Sequence, residues 1–340
     1  MLETIWFVLW GVLWAVYFML DGYDLGLGTL LHILAKTETE RRVVYRAMGP
    51  HWDGNEVWLI TAGGVTFAAF PTAYAAMFSG LYTALMFILF ALILRGVTFA
   101  FRDEIPTPRW RALWDAGLTV GSVLPALLFG VAFANIFQGL PLGPDGVFQG
   151  GLLSLINPYG LAGGVLFLLL FCQHGTLWLA VKSHGELHRR AANLAKRLWP
   201  ALLVMAVIFL LATQRLTHLY DNYLKHPVLF LILALAVAAL VAVRFFIAKG
   251  AWWRAWFASC LTIVGTTLFG VVGLYPNILP SKIDPAYSLT AFNAASSPLT
   301  LKIMLGVALT FVPVVIAYQV WVHYLFRDKI KEEDLEEEAY

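Results

Sequence analysis

Five ionisable residues lie within or beside long apolar runs, where charge is rare. Asp21 and Asp24 are three residues apart in the first run. Asp53 and Glu56 repeat that spacing at the start of the next run, and Arg95 lies near the end of a third. Residues three apart share one face of a helix. Ionisable groups inside a membrane are costly unless they are paired or hydrated, so each of the five is a candidate site residue.

The order of these residues predicts a polar half-path that opens at one membrane surface. Asp53 and Glu56 would lie at its mouth, Asp24 and Asp21 deeper, and Arg95 beside them as a partner for Asp24 or Asp21. A carboxyl group in low-dielectric surroundings can exchange protons near neutral pH. A path that stops near mid-membrane suits an enzyme that consumes protons there better than a through-channel. Simpler functions stay open, because acidic first turns complement the helix dipole and arginine can extend to the membrane surface.

The composition predicts a membrane protein. The chain has 340 residues, of which 60% are hydrophobic and 13% charged, whereas soluble domains have about 25% charged residues. The net charge of +2 excludes a nucleic-acid partner that depends on a basic field. A β-barrel is excluded, because its strands alternate apolar and polar residues.

The apolar residues form nine blocks, and a spanning helix needs about 20 such residues. We therefore predict an all-α polytopic protein with nine transmembrane helices, in which the second and sixth blocks are short for a full span. The blocks are 4–34, 53–70, 79–101, 114–137, 158–181, 199–214, 227–248, 252–275 and 300–326.

Lysine and arginine predict the orientation, because cytoplasmic loops carry an excess of them. The loops after odd-numbered blocks contain 18 of these residues, and the loops after even-numbered blocks contain three. The N-terminus should therefore lie outside and the C-terminus in the cytoplasm. Asp115, which follows two arginines, is expected in the first turn of the fourth span.

A weak internal repeat predicts the domain organisation. Thr29 to Lys36 resembles Thr176 to Lys182, at an offset that corresponds to four helices. We expect one four-helix bundle at 1–137, a second at 138–275, and a ninth helix with a solvated acidic tail at 276–340. Gly22 and Gly26, four residues apart, have the spacing of close helix packing.

Motifs for catalysis or metal binding are lacking, so no catalytic or metal-ligating residue is assigned. His174 lies well inside a block, but Cys172 is two residues away and points elsewhere on a helix, which makes a joint metal site poor. His174 is expected to be a hydrogen-bonded core residue, with an axial haem ligand as the less favoured alternative. The chain alone does not look able to perform redox chemistry.

The same polar motifs resemble subunit II of the bacterial cytochrome bd quinol oxidases, in order over the whole chain. The matching motifs are Leu20-Asp21-Gly22-Tyr23-Asp24-Leu25-Gly26, Pro50-His51-Trp52-Asp53-Gly54-Asn55-Glu56-Val57-Trp58, Arg95, Arg109-Trp110-Arg111 with Trp114-Asp115, Gly185-Glu186-Leu187-His188, and Pro276, Ser296 and Leu299-Thr300-Leu301.

The resemblance implies an aerobic respiratory function in the bacterial inner membrane. A similarly folded subunit I would carry haems b558, b595 and d and the quinol site, where dioxygen is reduced to water. Small single-helix subunits join some complexes, and a structural quinone lies in this subunit in some members. Subunit II would bind no haem, support assembly and contribute Asp24, Asp53, Arg95, Asp21 and Glu56 to a proton route.

Two other functions remain open from the sequence. A stand-alone proton-coupled transporter would explain the paired acids and the repeat, but Pro125 has no mid-helix counterpart in the second half. A purely structural subunit would use the acids only to satisfy one another and Arg95.

Overall fold

The chain folds almost entirely into helices. A computed structural model describes residues 1–331 and 333–335, so Glu332 and residues 336–340 of the predicted acidic tail lie outside the described residues. The α-helices are α1 (Leu2–Leu34), α2 (Glu38–Met48), α3 (Trp52–Ala69), α4 (Pro71–Gly80), α5 (Tyr82–Phe101), α6 (Pro108–Gln138), α7 (Pro158–Lys182), α8 (Gly185–Leu216), α9 (Asp221–Lys225), α10 (Phe230–Ala248), α11 (Trp252–Leu274) and α12 (Pro298–Leu325). A short antiparallel pair, β1 (Asn277–Leu279) and β2 (Leu289–Thr290), lies in the loop before α12.

Eight helices within the described residues are long and apolar enough to cross a membrane. They are α1, α5, α6, α7, α8, α10 with the turn that precedes it, α11 and α12. The all-α polytopic class is therefore confirmed. Helix α3 occupies the predicted second block and has 18 residues, but it is not among the eight. The ninth span stays a prediction.

Two helices differ from the predicted blocks. The sixth block is only the second part of α8, which begins at Gly185 and runs for 32 residues. Residues 71–78, expected as a loop, belong to α4, because Pro71 starts a new helix after the break at Phe70. Proline is well suited to a first helical position, where its missing N–H would have no partner.

Helix α1 lies at the centre of the fold. It packs against α3, α6, α7 and α11, so helices from both halves of the sequence share its surface. A Cβ on Gly26 would lie 1.9 Å from the carbonyl oxygen of Phe171, and a Cβ on Gly175 would lie 2.8 Å from the Gly26 carbonyl carbon. The α1 and α7 backbones therefore touch at these glycines, as the glycine spacing in α1 indicates. The division into two bundles stays a prediction.

Helix α2 lies outside the eight spans and is bound to the rest of the chain by charge. Burial alone would raise the pKa of the Glu40 carboxyl. The backbone N–H groups of Lys36 and Thr37 and the guanidinium of Arg190 outweigh burial, and they lower that pKa below its usual value. A capping box between Thr37 and Glu40 begins the helix.

The segment after α12 folds back onto the same end of the molecule. Lys182 Nζ donates to the carbonyl oxygens of Phe326 and Asp328, and Ile330 donates to the Lys182 carbonyl. Ile330 and Leu335 are buried. Leu335 belongs to the predicted solvated tail, so that prediction is wrong at this position, where the apolar side chain packs against α2; Ile330 precedes the tail, and Glu333 within it is exposed.

Candidate functional site

The two aspartates of α1 face the protein interior at the middle of the fold. Asp21 and Asp24 both have no exposed surface. Their spacing of three residues places them on one face, and this face meets α3 and α5 through the contacts described next.

Arg95 on α5 joins two of the predicted carboxylates. One of its terminal nitrogens lies 2.7 Å from Asp21 Oδ1 and 2.5 Å from Glu56 Oε1. The Arg95 and Asp21 side chains are 1% and 0% exposed, whereas the Glu56 side chain is 23% exposed. The arginine therefore links an acid that solvent reaches to one that it does not.

Packing against neighbouring helices positions Arg95 and α3. A Cβ on Gly121 of α6 would lie 2.8 Å from the Arg95 backbone nitrogen, so a glycine allows α6 to approach α5 at this point. Trp52, the first residue of α3, stacks on Phe99 of α5 with ring centres 4.9 Å apart. This aromatic pair places Glu56, one turn further along α3, beside Arg95.

Asp24 has a neutral partner and does not contact the arginine. Asn55 Nδ2 on α3 lies 2.8 Å from Asp24 Oδ2, and the same nitrogen lies 2.8 Å from the Tyr23 hydroxyl and 3.2 Å from the Leu20 carbonyl oxygen. Asn55 is fully buried. Sequence reasoning assigned it no role, although a buried amide one residue before Glu56 is an unusual choice for an apolar helix.

Asp53 stands apart from this cluster. It is exposed, and its Oδ1 accepts a hydrogen bond from the Gly54 backbone at 2.6 Å. The structure therefore brings together four of the five predicted residues, Asp21, Asp24, Glu56 and Arg95, and places Asp53 at the surface beside them.

Several buried atoms of the cluster have no hydrogen-bond partner within the described part of the chain. They are Asp21 Oδ2, Asp24 Oδ1, Asn55 Oδ1, and Nε and Nη1 of Arg95. Buried polar atoms are normally bonded to protein or to ordered water. These atoms therefore mark positions where water molecules would bind.

Aromatic side chains close the cluster on the other side. Tyr17 and Phe18, one turn before Asp21 on α1, are 0% and 1% exposed. They pack edge-on against Phe129 of α6 at 5.4 and 5.5 Å between ring centres. The rings therefore cover this side of the cluster, and the Tyr17 hydroxyl is a further buried polar atom near Asp21 with no hydrogen-bond partner in the described residues.

A second charged cluster lies outside this site, at the end of the molecule that carries α2. Asp115 is fully buried and accepts hydrogen bonds from Arg41, Arg102 and Tyr45 at 3.0, 2.7 and 3.1 Å. Burial and the Asp115 charge raise the pKa of the Tyr45 phenol far above its usual value. The expectation that Asp115 starts a span is wrong, because α6 begins seven residues earlier at Pro108.

His174 is held by protein groups on both sides of its ring. Its Nδ1 lies 3.0 Å from Ser259 Oγ, and its Nε2 lies 3.0 Å from the Met19 carbonyl oxygen. Both nitrogens are engaged, so this residue does not fit the function of an axial haem ligand. We therefore assign no haem chemistry to it.

These features define a helical, multi-pass membrane protein with a buried carboxylate–arginine cluster at the junction of α1, α3 and α5. The chain belongs to the cytochrome bd terminal oxidase subunit II family, whose model matches residues 2–326. It is therefore one subunit of a haem-containing terminal oxidase of the bacterial inner membrane, which implies a partner subunit I.

Characterised relatives agree along the whole chain. The cytochrome bd-I ubiquinol oxidase subunit 2 of Escherichia coli K12 is 35% identical over 375 residues, covering 100% of this chain and 98% of the relative. The cytochrome bd ubiquinol oxidase subunit 2 of Bacillus subtilis is 34% identical over 333 residues, covering 98% of each. These relatives favour the oxidase subunit over the transporter.

A solved structure agrees in fold. The bd oxidase from Geobacillus thermodenitrificans contains a chain that matches with a TM-score of 0.79 and 17% identity, covering 96% of this chain and 98% of that one. At this identity the match concerns the fold alone.

Proposed function

We propose that this chain is the non-haem subunit of a quinol:oxygen oxidoreductase and delivers cytoplasmic protons to the oxygen-reducing site. The partner subunit I would hold haems b558, b595 and d and oxidise the quinol. The relatives named ubiquinol oxidase subunit 2 support the quinol as electron donor. The assignment as subunit II also implies that this chain supports the haem-bearing subunit I.

One observation carries the proton proposal. Arg95 contacts both Glu56, which is 23% exposed, and Asp21, which is fully buried. Because the Arg95 guanidinium bonds to a partly exposed carboxylate and to a buried one, the two carboxylates belong to one hydrogen-bonded system. Arg95 keeps its own protons, so a proton entering at Asp53 and Glu56 would pass to Asp21 and then to Asp24 through water bound at the unpaired carboxylate oxygens.

The charge balance of the cluster supports proton uptake. Asp21, Glu56 and Asp24 share the single guanidinium of Arg95, and Asp24 is bonded to the neutral Asn55. Burying unbalanced negative charge is costly. The cluster can therefore take up a proton without breaking an ion pair, as a relay requires. The apolar rings of Phe18 and Phe129 would make the route a dead end.

The membrane arrangement follows from the same proposal. With α3 as the ninth span, the N-terminus lies outside and the basic end of the molecule, with the C-terminus, lies in the cytoplasm. Glu56 and Asp53, close to the α2 end of α3, then face the side from which protons are drawn. Small single-helix subunits and a structural quinone remain predictions, to which no residue is assigned.

A structural subunit is the competing function, and two variants separate it from a proton route. We expect Glu56→Gln and Asp21→Asn to lower quinol-driven oxygen consumption per haem by about tenfold or more, the lower end of the effect of removing a proton-transfer group. The haem content of the purified complex should stay normal. Glu104→Gln, at an exposed acid beyond α5, is the matched control.

The opposite result is equally clear. Turnover per haem that stays unchanged in both variants, while total oxygen consumption falls only in proportion to lost haem, would assign the acids to assembly. The family membership would not be affected by that result.

A further inference from the structure

Two adjoining cavities lie where the turn between α10 and α11 meets the end of α12. The first has a volume of about 440 Å³ and is lined by Arg254, Arg327, Asp328 and Lys329. The second is a groove of about 550 Å³ between α1, α11 and α12. Trp253 and Arg327 line both, so the cavities form one continuous surface.

The first cavity has the features of an anion site. Arg254, Arg327 and Lys329 are exposed, and within residues 1–331 and 333–335 none of them forms an ion pair with a carboxylate. Arg327 instead lies over the Tyr324 ring at 3.9 Å. Asp328 is the one acidic residue of the lining. Three cations against one carboxylate leave a net positive charge.

The start of α11 adds to this charge. Its N-cap is Ala251, no side chain caps its first turn, and that turn contains no acidic residue. The first N–H groups of a helix and its dipole attract anions. Trp252 and Trp253 of this turn line the cavity together with Arg254.

The groove has the opposite character. Its lining is almost wholly apolar, and Trp253, Phe257 and Tyr324 in it are 37%, 56% and 63% exposed. Trp256 also lines the groove and is 5% exposed. The groove therefore offers a ligand aromatic and aliphatic side chains to pack against and almost no polar surface.

We propose that this surface binds one anionic phospholipid of the cytoplasmic leaflet. The phosphodiester would contact Arg254, Arg327 and Lys329, and an acyl chain would lie in the groove. Basic pockets between helices on the cytoplasmic side are suited to anionic lipid headgroups. A free phosphate would leave the aromatic groove empty, and a purely apolar ligand would leave the cations unused.

The purified two-subunit complex, delipidated in detergent, provides the test. It is titrated with dioleoyl phosphatidylglycerol, and bound lipid is counted by native mass spectrometry. A cation near an anionic lipid contributes a factor of about five in affinity, so Arg254→Gln with Arg327→Gln should weaken binding roughly 25-fold. Arg244→Gln with Lys249→Gln removes the same charge from the same end of the molecule outside both cavities, and it should bind as the wild type does.

Two further ligands and one further variant test the chemistry. Dioleoyl phosphatidylcholine and glycerol 3-phosphate should both bind more weakly than phosphatidylglycerol, and Phe257→Ala, at a groove residue that is 56% exposed, should weaken phosphatidylglycerol binding several-fold while the complex keeps its haem. The proposal is overturned if the double variant binds like the wild type, if no saturable binding occurs, or if either of the other two ligands binds as tightly. Co-purification of a quinone whose amount falls in Phe257→Ala, with phospholipid unchanged, would also overturn it. None of these results bears on the proton route.

Discussion

Asn55 donates a hydrogen bond of 2.8 Å to Asp24 from the opposite helix, deep inside the fold. The same amide nitrogen also lies 2.8 Å from the Tyr23 hydroxyl. A neutral donor satisfies one carboxyl oxygen whether or not the group carries a proton, whereas a cation would hold the carboxylate in its charged form. This relationship makes Asp24 suited to both states and distinguishes it from Asp21, which has a guanidinium partner.

Replacing Asn55 should therefore destabilise the junction of α1 and α3. Asn55→Leu leaves a buried carboxyl oxygen and a tyrosine hydroxyl without their donor, at a cost of about 1–3 kcal/mol. We expect a lower thermal unfolding midpoint of the purified complex and slower oxygen consumption per haem. Thr61→Val on the same helix removes only a bond to the Val57 carbonyl and is the control. Equal midpoints for the two variants would contradict this prediction.

Asp53 should behave differently, because it is exposed and outside the buried cluster. Asp53→Asn should slow oxygen consumption while haem content stays normal, and the slowing should be largest at alkaline pH, where protons are scarce. We expect less than about a tenfold effect, at the low end of what a charge at a cleft contributes to local concentration. The measurement is turnover per haem across a pH series. Unchanged turnover over the whole series would remove Asp53 from the route.

Arg95 holds two carboxylates, so its loss should affect assembly before turnover. Arg95→Gln leaves the buried Asp21 and the partly exposed Glu56 without a cation, and breaking a buried pair in this way costs about 3–5 kcal/mol. We expect a low yield of haem-containing complex. Adding Asp21→Asn and Glu56→Gln to this variant removes the unbalanced charge, so the yield should recover.

Oxygen consumption per haem should be low in that triple variant, because Asp21 and Glu56 can no longer carry a proton between Asp53 and Asp24. A triple variant that assembles and turns over like the wild type would refute the relay. A triple variant whose yield does not recover would show that the arginine stabilises the fold by more than its two ion pairs. Yield and turnover are therefore measured on the same preparations.

The sequence predicted the charged part of the site better than its neutral part. Asp21, Glu56 and Arg95 interrupt apolar runs, and the energetic cost of such charges makes them conspicuous. Asn55 carries no charge and follows no helical periodicity that would point to Asp24. Arg95 pairs with Asp21 and not with Asp24. This pairing depends on how α5 packs against α6 at Gly121, and the spacing of residues along the sequence gives no information about that packing.

The helix boundaries show a similar division. Long apolar runs located α1, α7 and α11 well, because hydrophobic length is what spanning requires. The starts of α6 and α8 were missed, because residues 108–113 and 185–198 are polar helical extensions beyond the apolar blocks. That error also misplaced Asp115, whose burial depends on arginines from α2 and from the end of α5.

The contact between α1 and α7 allows no side chain at Gly26, which sets a sharp test of the packing. In Gly26→Ala the added methyl would overlap the carbonyl oxygen of Phe171, which lies 1.9 Å from the ideal Cβ position. Because this oxygen is a backbone atom, it cannot rotate away as a side chain could. The helices must separate, and with them Asp24, two residues before the glycine, must move relative to α3. Overpacking of this kind costs about 1–3 kcal/mol or more.

Gly63→Ala is the matched control, because a Cβ there has no atom within 4 Å. We expect Gly26→Ala to lower the unfolding midpoint and the oxygen consumption per haem, and Gly63→Ala to change neither. Equal behaviour of the two variants would mean that α1 and α7 are further apart than their backbones place them here.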